Sequence, residues 1–120
     1  MENVRIIISG FWVATMLVYL LGDVLRIYSG DMVPGMIDDK PAAPGMWLAV
    51  AMMMLIPILM VVLTLVVPAP QVRWLNLIIV VIVFAFNIIA LPYKGHYDNF
   101  LIVVSLAFNA IVFWYSWNWN

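Results

Sequence analysis

The residues best equipped to do chemistry lie along one stripe of the first apolar stretch: Trp12, Thr15, Tyr19, Asp23 and Arg26. Spacings of three and four put them, at about 100° per residue, on one side of an α-helix, with Ile, Val, Leu and Met on the other. Asp23 and Arg26 stand at i, i+3, within pairing distance on a helix surface. Such a pair has two readings. It is a structural ion pair, inexpensive near a membrane edge because each charge neutralises the other, or it is a proton or cation site gated by Asp23, since ionisable groups inside apolar spans tend to mark ion or substrate routes. Asn87 and Asn109 are further strongly polar residues within apolar stretches. Amides at such positions act either as interhelical hydrogen-bonding groups, worth ~0.6 to 2 kcal/mol each, or as ligand groups. The sharper expectation is that Tyr19, Asp23, Asn87 and Asn109, with Arg26 beside Asp23, converge on one small polar interior pocket.

Other reactive constellations are missing from the sequence. His96 is the one histidine, in YKGHYDN with Asp98 two residues on, and one His with one Asp does not complete a zinc or haem site. An exposed interfacial position is expected for it. The absence of cysteine excludes disulfides, dithiol redox chemistry and thiolate metal sites. No serine with a paired base, phosphate-cradling glycine loop or dinucleotide fingerprint is present. The expectation is a non-enzyme with no catalytic residue, no cofactor and no metal.

The elements that must position these residues follow from composition. The 120-residue chain is 68% hydrophobic and 9% charged, with a mean hydropathy of +1.13. Ordinary soluble domains are roughly 45–50% apolar and about 25% charged, and a chain this short could not hide so much apolar surface from water. Four stretches near the ~20 residues needed to cross ~30 Å of hydrocarbon are predicted at 4–27, 46–67, 74–91 and 100–117. The first begins within MENVRIIISG, no small-residue cleavage pattern follows, and it is read as a retained span, roughly 36 Å long, whose end must tilt or project. The fold class expected is therefore an all-α membrane protein, a single antiparallel four-transmembrane-helix bundle covering residues 1–120.

The connections fit that division. Ser29 to Gly45, SGDMVPGMIDDKPAAPG, holds three Asp, one Lys, three Pro and three Gly, a composition that neither packs nor spans. Pro68, Ala69 and Pro70 separate the second and third spans, and Pro92 to Asn99 the third and fourth. Trp74, Trp114, Trp117 and Trp119 are expected at the interface on the side of the termini, and Tyr28, Trp47, Tyr93 and Tyr97 at the opposite one. Arg5 and Arg73 lie on the terminal side against Arg26, Lys40 and Lys94 on the other. Export of the long acidic loop, with both termini cytoplasmic, is the orientation expected. Pro57 should bend the second span, and Gly10 with Ala14 forms a small-xxx-small pair suited to close helix contact. The net charge of −1 and the lack of a basic run argue against a nucleic-acid partner.

The segments GFWVATMLVYLLGDVLRIYSGDM, AMMMLIPILMVVLTLVV, VRWLNLIIVVIVFAFNIIAL and FNAIVFWYSWNWN resemble a family of small four-span prokaryotic membrane proteins catalogued as a domain of unknown function. The likeness runs over nearly the whole chain. Its most specific pieces are Tyr19 to Asp23, Ile56-Pro57-Ile58, Arg73 to Asn76 and Trp114 to Trp117. The resemblance implies a four-helix fold in a prokaryotic inner membrane and gives no activity. Members often carry a Glu before the Ile-Pro-Ile segment and an acid in the fourth span; Leu55 and Asn109 stand there in this chain, leaving Asp23 as the membrane carboxylate. Two functions are therefore carried forward. One is a non-catalytic helix-bundle scaffold or subunit that associates in the lipid bilayer with itself, as a homo-oligomer, or with a larger membrane complex. The alternative is a small oligomeric transporter or channel using Asp23 and neighbouring polar groups as a proton, cation or small-molecule site.

Overall fold

Helix boundaries fall where glycine and proline allow them. The computed structural model describes residues 3–31, 33–37, 40–41, 43–91 and 95–119. Helix α1, Asn3–Ser29, stops at Gly30, whose φ of 85° is the left-handed conformation that ends a helix at little cost in a residue lacking Cβ. Helix α2, Pro44–Val66, opens on a proline, whose missing N–H has no partner to lose in a first turn. It continues through Pro57 and ends before Pro68. Helix α3, Ala69–Ala90, carries Pro70 in its first turn. Helix α4, His96–Trp117, follows an extended Gly95 and closes with the Asn118 N–H on the Trp114 carbonyl at 3.1 Å.

Two boundaries differ from the sequence expectation. The third span begins at Ala69 rather than Trp74 because Pro70 starts a helix as readily as it would end one. The fourth begins at His96 rather than Phe100, because a first turn has free N–H groups that accommodate polar side chains and counting apolar residues overlooks it. The long loop also contains a short antiparallel pairing of β1, Met36–Ile37, with β2, Lys40–Pro41, an element that its composition did not suggest. Pro92, Tyr93 and Lys94, assigned above to a link and an interface, lie outside the described residues.

All four helices are long and apolar enough to cross a membrane, and together they form a four-helix bundle. The chain is membrane-embedded. α1 packs along α2 and α4, α4 packs along α1 and α3, and α2 touches α3 only sparsely. The closely packed core, Ile8, Trp12, Met60, Val72, Val80, Val112 and Trp119, lies toward the termini. At that end Trp74, Trp114 and Trp117 are exposed as interfacial rings should be, whereas Trp119 is buried beneath the Arg5 guanidinium, 5.4 Å from its ring centroid. That contact places the two chain ends on one side of the bundle. Gly10 faces outward, with nothing within 4 Å of the position a Cβ would take, so its small size is not used by a neighbouring helix of the chain.

Candidate functional site

Polar side chains form two groups, one near each end of the bundle. In the terminal half, the Trp12 Nε1–H donates to Asn76 Oδ1 at 2.7 Å, and Asn76 Nδ2 donates to Thr64 Oγ1 at 3.2 Å. All three residues are fully buried, and the chain of bonds ties α1 to α3 and α3 to α2. Ser9 Oγ adds a bond to the Val61 carbonyl at 3.0 Å. Both arginines of this end serve helix C-termini. Arg5 donates to the carbonyls of Thr64 and Val67 at the end of α2, and Arg73 donates to those of Ser116 and Trp117 at the end of α4, each at 2.9 Å. A helix leaves its last carbonyls unbonded and its C-terminus partially negative, so a guanidinium there satisfies hydrogen bonds and charge together.

The other half holds the residues singled out in the sequence. Tyr19 and Asn87 exchange hydrogen bonds, with Asn87 Nδ2 donating to the Tyr19 hydroxyl at 2.7 Å and the hydroxyl 3.0 Å from Asn87 Oδ1. Arg26 Nη2 bonds Asp23 Oδ1 at 3.0 Å, as the i, i+3 spacing predicts. A second carboxylate joins them: Asp98 Oδ1 lies 3.5 Å from Arg26 Nη1. Asp98 is 3% exposed, whereas the Asp23 side chain is 50% exposed, so the guanidinium bridges one buried and one open carboxylate. Gly22 makes room for the bridge, since a Cβ on it would sit 3.4 Å from Arg26 Nη2 and 3.8 Å from Asp98 Oδ1. Nearby, the Tyr97 hydroxyl bonds the Asp31 carboxylate and meets Ser29 Oγ at 2.8 Å, holding the start of α4 to the end of α1.

A cavity of about 400 Å³ opens beside this cluster. α2 and α3 are held together near the termini by Thr64 and Asn76 and part toward the other end. Met53, Met54, Ile56 and Pro57 of α2 line one wall, and Ile82, Val83, Phe86, Asn87 and Ile89 of α3 the other. Tyr19, Asp23 and Arg26 of α1 supply the polar floor. No family model, curated protein or solved structure matches the chain.

Four of the five residues expected to converge, Tyr19, Asp23, Arg26 and Asn87, line this groove; Asn109 does not. It borders a separate cavity of about 250 Å³ between α3 and α4, with Val80, Val81, Phe84, Ala110 and Phe113. The reason is depth. Asn109 lies eleven residues beyond Asp98 on α4, about 16 Å at 1.5 Å per residue, which carries it past the level of Tyr19 toward that of Thr15. Its side chain is buried with neither amide atom bonded. Asp98 was missed because the sequence placed it in a loop. His96 is exposed, in the first turn of α4. Among the described residues no group of three or more His, Cys, Asp or Glu could hold a metal ion.

Proposed function

We propose that this protein is a non-catalytic helix-bundle scaffold or subunit of a prokaryotic inner membrane that assembles with itself or with another membrane protein through α2. One observation carries the reading. The first ten residues of α2, Pro44 to Met53, are all exposed, and the helix buries only Pro57, Met60 and Thr64 in its second half. Three turns bearing Met46, Trp47, Leu48, Val50, Met52 and Met53 are therefore left largely uncovered by the bundle's own packing, while the other polar and apolar contacts fasten α1, α3 and α4 into a firm support. Methionine-rich surfaces adapt to varied partners because the unbranched thioether side chain repacks easily. The outward-facing Gly10 offers a second place where another helix could approach closely.

The cysteine-free sequence makes the test direct. Single cysteines at Val50 and Met52, with Ile78 on α3 as an exposed control, are labelled with a maleimide-benzophenone, whose photoactivated ketone inserts into C–H bonds of any adjacent protein, and irradiated in native membranes. Assembly through α2 gives adducts from Val50 and Met52 but not from Ile78, of twice the chain mass for self-association and of another mass for a different partner. Equal yields at all three positions would refute the role of α2.

A second reading, a small-molecule or cation site that uses Asp23, is favoured by the α2–α3 groove and its half-exposed carboxylate. Replacement of Asp23 by Asn should then abolish ligand binding or flux in proteoliposomes while the bundle stays folded. Unchanged flux and binding would remove this reading.

A further inference from the structure

Resting on the second reading above, we infer that the α2–α3 groove binds an amphipathic organic amine, taking its ammonium group at Asp23 and its apolar body between Met53, Phe86 and Ile82.

Charge selects the head group. Within the cluster of Asp23, Arg26 and Asp98, two carboxylates face one guanidinium. The Arg26 charge is already engaged on both sides, and the carboxylate left half-open toward the groove is that of Asp23, one of whose oxygens is held by Arg26. An anionic head would meet a net negative cluster and have to displace an ion pair. An ammonium instead adds the missing positive charge and gains a charge-assisted hydrogen bond. Phe86 lines the same groove, and an aromatic face attracts a cation.

Depth selects the amphiphile. α1 has 27 residues and is about 40 Å long, against ~30 Å of hydrocarbon. Counted from Arg5 at the terminal interface, twenty residues of hydrocarbon reach about as far as Val24. Asp23 and Arg26 thus lie at headgroup level and Tyr19 about one turn inside. The groove runs from that level into the apolar interior along Pro57, Val83 and Ile82, and its mouth lies between helices whose outer residues Met52, Leu55 and Ile89 face the lipid. A molecule with a charged head at the interface and a greasy tail in the bilayer enters sideways without desolvating its head. A volume of about 400 Å³ falls within the range of small-molecule sites, and the soft side chains of Met53 and Met54 accommodate tails of different shape.

The experiment uses the full chain in nanodiscs of zwitterionic lipid, with empty nanodiscs subtracted, and three isosteric probes: phenylpentylamine, phenylpentanol and phenylpentanoate. Calorimetric titration should show the amine binding about ten-fold more tightly than the alcohol, the scale of a charge-assisted bond against a neutral one, with the carboxylate weakest. D23N should bring the amine to the level of the alcohol without weakening the alcohol. M53W, which fills the groove from an exposed position on α2, should reduce binding of both. Equal binding of amine and alcohol to the native chain would overturn the amine assignment while the groove remains a ligand site. Saturable binding unaffected by M53W, or no saturable binding of any probe, would overturn both the assignment and the reading beneath it.

Discussion

Replacing Asn76 with Leu removes the residue on which the terminal half of the bundle converges, and its cost can be worked from the bonds. The change takes away the acceptor that the fully buried Trp12 Nε1–H bonds at 2.7 Å. An indole nitrogen only donates, so it has no alternative within its own helix, and a buried unsatisfied donor costs about 1–3 kcal/mol. Thr64 loses its partner as well, but a helical threonine can turn its hydroxyl to the carbonyl four residues earlier, so its share is small. Lost packing around a leucine of similar volume adds little. The expected destabilisation is about 2 kcal/mol, above the ~0.6 kcal/mol average for a polar contact between membrane helices because the donor left behind is fully buried. Reversible unfolding in mixed micelles, followed by far-ultraviolet circular dichroism, measures it. The companion W12F removes the donor at the cost of some buried volume, so W12F should cost less in the N76L background than in the native chain, where it also strands the Asn76 carbonyl. A cost for N76L below about 0.5 kcal/mol, or strictly additive costs in the double variant, would refute the reasoning.

Three further outcomes follow from the same geometry. Gly22→Ala should be tolerated, since a methyl there makes ordinary contacts, whereas Gly22→Leu should displace Arg26 from Asp98 and lower stability by about 2 kcal/mol or more; equal stabilities by the same unfolding assay would contradict the bridge. Asn109→Leu should be neutral or stabilising by up to about 1 kcal/mol, because it removes two buried unbonded amide atoms, and a clear loss of stability would show that the amide has a partner. Arg73→Leu should fray the end of α4 by withdrawing its two bonds to Ser116 and Trp117, costing about 1–2 kcal/mol and raising hydrogen exchange around Asn118 and Trp119; unchanged exchange would count against capping.

What the sequence reveals depends on how local the interaction is. The four helices are legible because hydropathy over twenty residues is a sum, robust to one misplaced residue, and the Asp23–Arg26 pair is legible because helix geometry alone brings i and i+3 together. Tyr19 with Asn87 is legible at one remove, two polar groups in apolar helices at similar distance from the loop side. Asp98 is not, because its role depends on α4 starting four residues earlier than apolar counting places it, which turns an apparent loop acid into a buried helical one facing Arg26. Asn109 shows the converse. Its polarity drew it into the predicted site, but residue type carries no depth, and about 16 Å along α4 separates it from the charged end.

The placement of Asp98 also explains the stripe on α1. Had Arg26 only Asp23 as partner, the pair would be an exposed i, i+3 contact worth a few tenths of a kcal/mol, too little to fix the end of a helix that projects beyond the bilayer. With Asp98 nearly buried on its far side, the guanidinium instead joins the end of α1 to the start of α4, and the Tyr97 contacts to Ser29 and Asp31 join the same two elements one turn further out. That clamp holds α1 against α4, and the end opposite the termini opens between α2 and α3, where the helices touch sparsely and the groove lies. Asp23 is left with one oxygen held by Arg26 and its side chain half in solvent: the clamp orients the carboxylate without covering it.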